Sequence, residues 1–326
     1  MIVPDHWAEA RRQHRARGRQ VTVRRFGWSE RDPAEAQAMA DARADEALAR
    51  VLAGERLERR EPKRAYNGAD GVPIREEVLE RHGAQVITRN GYGARCLNSP
   101  DALFADVDVE DAGGPLKPWL PLGVLLALAV AATLAIGKAI AFIVLGLVAV
   151  IAAWPLAEWL RRRRIARQGG AAAIVEARLR AFLAAHPDWA LRVYETPRGL
   201  RLLATHATFE ATAPEVAAFF EAVGADPVYR RMCERQRCFR ARLTAKPWRI
   251  GMPGRLRPRP GVWPVAEDAR PRRDAWIADY ERRAADYAAC RFREALGSGV
   301  EAPALREVIA LHDAATRACV PGLVIA

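Results

Sequence analysis

From Trp119 to Leu160 the chain is almost wholly apolar, with charge only at Lys138 and Glu158. A single helix over that stretch would run about 60 Å at 1.5 Å per residue. The hydrocarbon core of a bilayer is only about 30 Å thick. The stretch therefore predicts two spanning helices, at about 120–136 and 139–159, with Gly137-Lys138 as a tight turn between them. No polar face recurs at helical spacing, which argues against a hairpin buried in a soluble core. Trp119, Trp154 and Trp159 fall where interfacial aromatics collect, and Arg161–Arg164 and Arg167 follow the second span at once. Positive residues mark the cytoplasmic end of a span, and a hairpin returns both of its ends to one side. The expected location is the bacterial inner membrane, multi-pass, with the soluble parts before and after the hairpin in the cytoplasm.

On either side the periodicities are shorter and mixed. Residues 1–20 read as a basic arm and 20–23 as a short strand. Asp32-Pro33 is an N-cap followed by proline in the first turn, opening a helix that runs to about Leu52 and stops at Gly54. Residues 55–73 are turn-rich, with Asn67-Gly68 and Asp70-Gly71, and a short helix is predicted at 74–81. Strands follow at 85–89 and 94–98 around Asn90-Gly91-Tyr92-Gly93, then at 102–109. Beyond the apolar stretch come a helix at 171–185, a strand pair at 190–195 and 200–206, and helices at about 214–223 and 227–235. A strand at 239–244, an aperiodic segment at 245–273, and helices at 273–296 and 303–319 complete the chain. The class is α+β. Its segments are a basic arm and helical region (1–60), a first part of the cytosolic domain (61–116) and the membrane hairpin (117–160). A second part of the same domain (161–250) and a Pro/Arg-rich linker with C-terminal helices (251–326) follow.

Composition narrows the function. Hydrophobic residues make up 51% of the 326, enough for a real core, while 51 Lys and Arg against 39 Asp and Glu leave a charge of +12. A basic balance of that size points to phosphate-bearing partners or an anionic surface. Cys96, Cys233, Cys238, Cys290 and Cys319 are odd in number and scattered, which argues against both a disulfide-stapled secreted domain and a zinc site. The first 25 residues carry arginines in place of an apolar leader segment. The sequence has no Walker A loop, GxGxxG, GxSxG or HExxH.

Three groups of residues carry candidate chemistry. Asp106 and Asp108, in the apolar run LFADVDV, share one face of a strand because side chains repeat every two residues. Two carboxylates so placed repel unless a cation or a basic partner lies between them. Oxygen ligands at this spacing suit Mg²⁺ or Mn²⁺; the other outcome is pairing with arginines. His206 ends a strand and is placed to meet a phosphate or to move a proton. Residues 228–273 hold fourteen Lys or Arg against three acids. Within them Arg240 and Arg242 share a strand face, and Lys246, Trp248 and Arg249 follow. Such a mixture of cations and an aromatic suits phosphate contact with base stacking, or an anionic lipid surface.

The order hydrophobic-Asp-x-Asp-hydrophobic at 104–109, followed by Ala204-Thr205-His206 at a strand end, resembles the archaeo-eukaryotic primase superfamily, which includes primase-polymerases. The resemblance covers about 84–250 apart from the hairpin. It implies a primase-like fold, a divalent metal on Asp106 and Asp108, and an incoming nucleotide at His206. The family's third acidic residue, on a later strand, is replaced here by arginines. The expected function is a membrane-tethered cytosolic protein that binds single-stranded nucleic acid or a nucleoside triphosphate, with metal-dependent nucleotidyl transfer as its enzymatic form. Two alternatives stay open. One is a DxD sugar-nucleotide glycosyltransferase on the cytoplasmic face. The other is a non-enzymatic membrane protein that docks partners or anionic lipid through its basic face.

Overall fold

A computed structural model describes residues 1, 3–16, 18–61, 73–109, 114, 116–258 and 263–326. The turns expected at Asn67-Gly68 and Asp70-Gly71 fall outside these residues. The fold mixes α and β. The expected basic arm is instead a strand, β1 (His6–Ala16), paired antiparallel with β2 (Arg19–Ser29) from His6↔Ser29 to Ala16↔Arg19. Exposed arginines along it mask the alternation that would have revealed a strand. Helix α1 (Pro33–Leu52) begins where the cap predicts, with the Asp32 carboxylate accepting from the Glu35 amide at 2.8 Å. Its buried stripe is Ala36, Ala40, Ala44 and Ala47, and Ala10 of β1 packs against Ala40 and Ala44. The small side chains let helix and hairpin approach closely. A Cβ at Gly27 would lie 2.1 Å from the Ala36 carbonyl oxygen, so only glycine fits there.

Two four-stranded antiparallel sheets form the centre of the molecule. One has the order β3 (Glu77–His82), β4 (Gln85–Arg89), β5 (Arg95–Ser99), β9 (Phe239–Arg242). The other runs β11 (Arg291–Gly297), β7 (Ala190–Thr196), β8 (Gly199–Ala204), β6 (Phe104–Asp108). The short helix expected at 74–81 is strand β3 because β4 offers its backbone a partner, Arg81 lying opposite Val86. Local helix preference is weak enough for such pairing to override it. The long helix expected at 273–296 divides for the same reason. It becomes α7 (Arg270–Ala284), the two-residue β10 (Tyr287–Ala288) and β11, which lays Phe292 opposite Tyr194 of β7. β12 (Val324–Ile325) pairs parallel with β10. The main core lies where the β6–β8 sheet meets α4 (Ala171–Ala185), α5 (Pro214–Val223), α6 (Pro227–Gln236) and α8 (Arg306–Thr316). Leu103, Phe104, Leu191, Leu202, Phe219 and Phe239 are fully buried in it.

Helices α2 (Trp119–Ile136) and α3 (Ala139–Arg167) are, among the described residues, long and apolar enough to cross a membrane. Gly137, at φ 68°, turns the chain between them. They meet through alanines (Ala129 on α2; Ala149, Ala153 and Ala157 on α3), while Leu134, Ile143, Leu147 and Ile151 point outward and stay exposed. Small residues at the contact and large apolar ones outside suit a hairpin in lipid. α3 outlasts its expected end by eight residues. No breaker intervenes until Gly169 and Gly170, both at positive φ, turn the chain into α4. Its 29 residues span about 43 Å, so the arginine-rich last turns extend past the apolar part. The hairpin sits between strands that pair across it: β5 with β9, and β6 with β8.

Candidate functional site

Asp106 and Asp108 occupy one face of β6, as the two-residue repeat requires. Their cross-strand partners on β8 are Arg201 and Gly199. Arg201 is 2% exposed and grips Asp106 through two bonds, Nε to Oδ1 at 2.8 Å and Nη2 to Oδ2 at 3.2 Å. Its Nη1 donates to the Arg242 carbonyl at 2.8 Å. Burial works against the Arg201 charge, but the field and hydrogen bonds of Asp106 outweigh it and hold the guanidinium above its ordinary pKa. Opposite Asp108 the strands are so close that a Cβ at Gly199 would lie 2.0 Å from the Val107 carbonyl oxygen. A Mg²⁺ or Mn²⁺ held by both aspartates would have to displace a bidentate, buried guanidinium. Asp106 thus takes the arginine-paired alternative, with Arg201 as its partner. The arrangement does not fit a two-carboxylate metal site. Among the described residues no group of three or more His, Cys, Asp and Glu is placed to hold a metal.

His206 does not converge on the aspartates. It lies past the end of β8, five residues beyond the partner of Asp106, or up to about 17 Å along an extended chain. Its Nδ1 accepts from the Ala190 amide at 3.3 Å, and its ring packs against Trp189 and Phe209 at 4.7 and 5.4 Å between centroids. Burial lowers its pKa, so the ring is a neutral structural acceptor.

Arg240 is not a surface cation either. It is 8% exposed and binds Glu76, which is fully buried, at 2.7 and 3.0 Å. Thr88 donates to the same carboxylate at 2.6 Å. Asn98 bonds both Thr88 (2.9 Å) and Arg240 (3.3 Å). Arg240 therefore belongs to a closed polar network inside the sheet and is removed from the expected phosphate-binding set.

Arg242, Lys246, Trp248 and Arg249 do come together, at the end of the sheets where β6 leads toward α2. Leu243 bonds back to Arg95, and Pro247–Arg249 form one tight 3₁₀ turn closed by Arg249 N–H to the Lys246 carbonyl at 2.8 Å. The turn turns Trp248 outward, 61% exposed. The Trp248 ring meets Tyr92 edge-on at 5.3 Å, and the Lys246 ammonium lies 5.5 Å from it. Tyr92 sits in a loop whose Asn90 side chain accepts from the Tyr92 and Ala94 amides. Its hydroxyl is pushed up to about 12, chiefly by burial. Lys246 is lowered first by burial and then by repulsion from Arg242, Arg249 and Arg198; Arg249 is lowered by burial, Arg242 and Arg198. Asp108 opposes both shifts, so it joins the basic group as a counter-charge. Neither Lys246 nor Arg249 forms an ion pair among the described residues. Sequence reasoning missed Arg198 and Tyr92. The tight strand connection at Thr196–Gly199 was the available signal, since it carries Arg198 to the Asp108 end of β6.

Comparison with protein-family models, curated proteins and solved structures gives no match.

A second polar cluster lies behind β8. His312 is fully buried, its Nδ1 3.1 Å from Asp313 Oδ1 and its Nε2 4.0 Å from Cys290 Sγ and 3.5 Å from Arg201 Nη1. Asp313 also accepts from Tyr194 at 2.7 Å and from Arg192 at 2.5 Å. The order Cys, His, Asp is that of a nucleophile, base and orienter. Both Cys290 and His312 are shut off from solvent, however, and burial raises the thiol pKa. Buried, protonated thiols are inert. The cluster braces the core.

Proposed function

We propose that this chain is a membrane-tethered cytosolic protein whose basic patch binds the phosphates of single-stranded nucleic acid or a nucleotide. The observation that carries the proposal is the group Arg198, Arg242, Lys246 and Arg249 around an exposed tryptophan. Burial and the repulsion of Arg242 and Arg198 lower the pKa of both Lys246 and Arg249, Asp108 offsets only part of that, and a bound anion relieves the rest. A flat, exposed indole beside them offers a stacking platform for a base. The primase-like resemblance contributes the class of ligand. Nucleotidyl transfer is left out, because Asp106 is held by Arg201 and His206 lies apart. The tether is α2 and α3 as a spanning hairpin, with Arg161–Arg164 keeping both soluble parts on the cytoplasmic face.

Anisotropy titration of a labelled oligonucleotide tests the patch. The log-affinity against log-salt slope should flatten by about 1.4 when Lys246 and Arg249 are both replaced by Ala, at about 0.7 per lost phosphate contact. Trp248→Ala should weaken binding by about 1–3 kcal/mol. An affinity and slope unchanged by these substitutions would sink the proposal. The topology has its own test. The four buried cysteines leave only Cys319 exposed, so a Cys319→Ser background is quiet. A cysteine placed at Lys138 should react with an impermeant maleimide in intact cells, and one placed at Arg167 should not. The reverse pattern would invert the orientation.

A further inference from the structure

At the arginine-rich end of the hairpin a groove opens between α2 and α3. Lys117, Leu120 and Pro121 line it on the α2 side, and Leu160, Arg161 and Arg164 on the α3 side. Its floor is apolar and its rim is cationic. The rim charges differ in availability. Glu158 bonds Arg161 at 2.9 Å and Arg162 at 2.6 Å. Lys117 and Arg164 form no ion pair among the described residues. Trp119 and Trp159, both largely exposed, stand at the same level, and the Arg163 guanidinium lies 5.0 Å from the Trp159 ring. Aromatics of this kind mark the headgroup depth of a bilayer. Arg164 also lines a second groove on its other side, between α3 and α4, together with Gln168, Ala173, Ile174, Ala177, Arg178 and Ala181.

From these features we infer that the groove is a binding site for the headgroup of an anionic phospholipid. The phosphate sits between Lys117 and Arg164, and the upper acyl chain lies along Leu120, Pro121 and Leu160. Charge complementarity selects the occupant. Two cations that form no ion pair among the described residues, at headgroup depth and above apolar walls, match a negatively charged amphiphile and mismatch a neutral one. The site is separate from the patch around Trp248. It rests on the proposed membrane tether.

The test uses the full chain reconstituted in phosphatidylcholine vesicles with and without phosphatidylglycerol, each lipid brominated in turn. Bromine in the acyl chains quenches only tryptophans at the bilayer, and the ratio of quenching gives the relative association of the two lipids. Wild type should prefer phosphatidylglycerol. Lys117→Ala and Arg164→Ala should each cut that preference by about fivefold, the worth of one cation near the surface. Lys246→Ala with Arg249→Ala should leave it alone. Equal quenching by both lipids in wild type overturns the inference while leaving the tether intact. A preference that survives both groove substitutions but falls with the Lys246 and Arg249 pair places the lipid at the other patch and overturns it too. Failure of the chain to float with either vesicle type overturns tether and groove together.

Discussion

Replacing Arg240 with Met is expected to destabilise the protein by about 3–5 kcal/mol, the cost of leaving a buried charge without its partner. Glu76 is fully buried, and Arg240 supplies two of the bonds that keep its carboxylate satisfied. Thr88 provides a third, and Asn98 ties the pair to the sheet. Without the guanidinium, the carboxylate must ionise unpaired or take up a proton. Removing both charges with Glu76→Leu and Arg240→Met should recover much of the loss, because a matched apolar pair restores packing without desolvation. Unfolding in neutral detergent, followed by tryptophan fluorescence, measures all three variants. A loss below about 1 kcal/mol for Arg240→Met would contradict the network. Oligonucleotide affinity of the folded Arg240→Met protein should equal that of wild type.

Acid should weaken the fold in a defined window. Burial lowers the pKa of His312 from 6.5 to about 4. Above 6.5 the ring is neutral in both folded and unfolded chains and the contribution is fully present. As the pH falls below 6.5 the unfolded chain gains a proton that the folded chain refuses, so stability is lost until about pH 4. At about 1.4 kcal/mol per pH unit the span amounts to about 3 kcal/mol. The charged neighbours act in both directions. Arg201, on β8, disfavours the protonated ring, while Asp313 and Asp106 favour it; Cys290 faces the same nitrogen as a neutral thiol. His312→Gln should be less stable than wild type at pH 7.5 and should show a flatter dependence between 6.5 and 4. Parallel curves for the two proteins would show that other groups set the acid limit.

These networks also mark the limit of what the sequence disclosed. Elements with local signals were legible: α1 through Asp32-Pro33, the paired apolar helices through length alone, and β4 and β5 through the loop at Asn90–Gly93. Elements that owe their state to distant partners were not. β3 exists because β4 lies beside it, and β11 because β7 does. At the candidate site, strand periodicity correctly set Asp106 with Asp108, and Arg240 with Arg242. It could not say which of them would be buried. Arg201 reads in sequence as one more arginine beside apolar residues, and nothing local announces that it closes on Asp106. Glu76 and Arg240 are likewise 164 residues apart. The cations that stayed partly exposed, Lys246 and Arg249, lie in a turn fixed by Pro247, where local sequence does govern geometry.

The placement of the hairpin between pairing strands has a consequence for biogenesis. Asp106 meets its partner Arg201 only 95 residues later in the chain, and Asn98 meets Arg240 only 142 residues later. At ribosomal speeds of about 5–20 residues per second, β5 and β6 stand as open edges for on the order of ten seconds. Unpaired edges of this kind invite the wrong strand. During that interval the apolar helices emerge, and under the proposed membrane tether their capture by the bilayer would fix the nascent chain before either sheet can close. Under that tether, delivery to the membrane comes before folding in the order of synthesis, and a chain that missed the membrane would keep its long apolar segment and two unpaired strands exposed together.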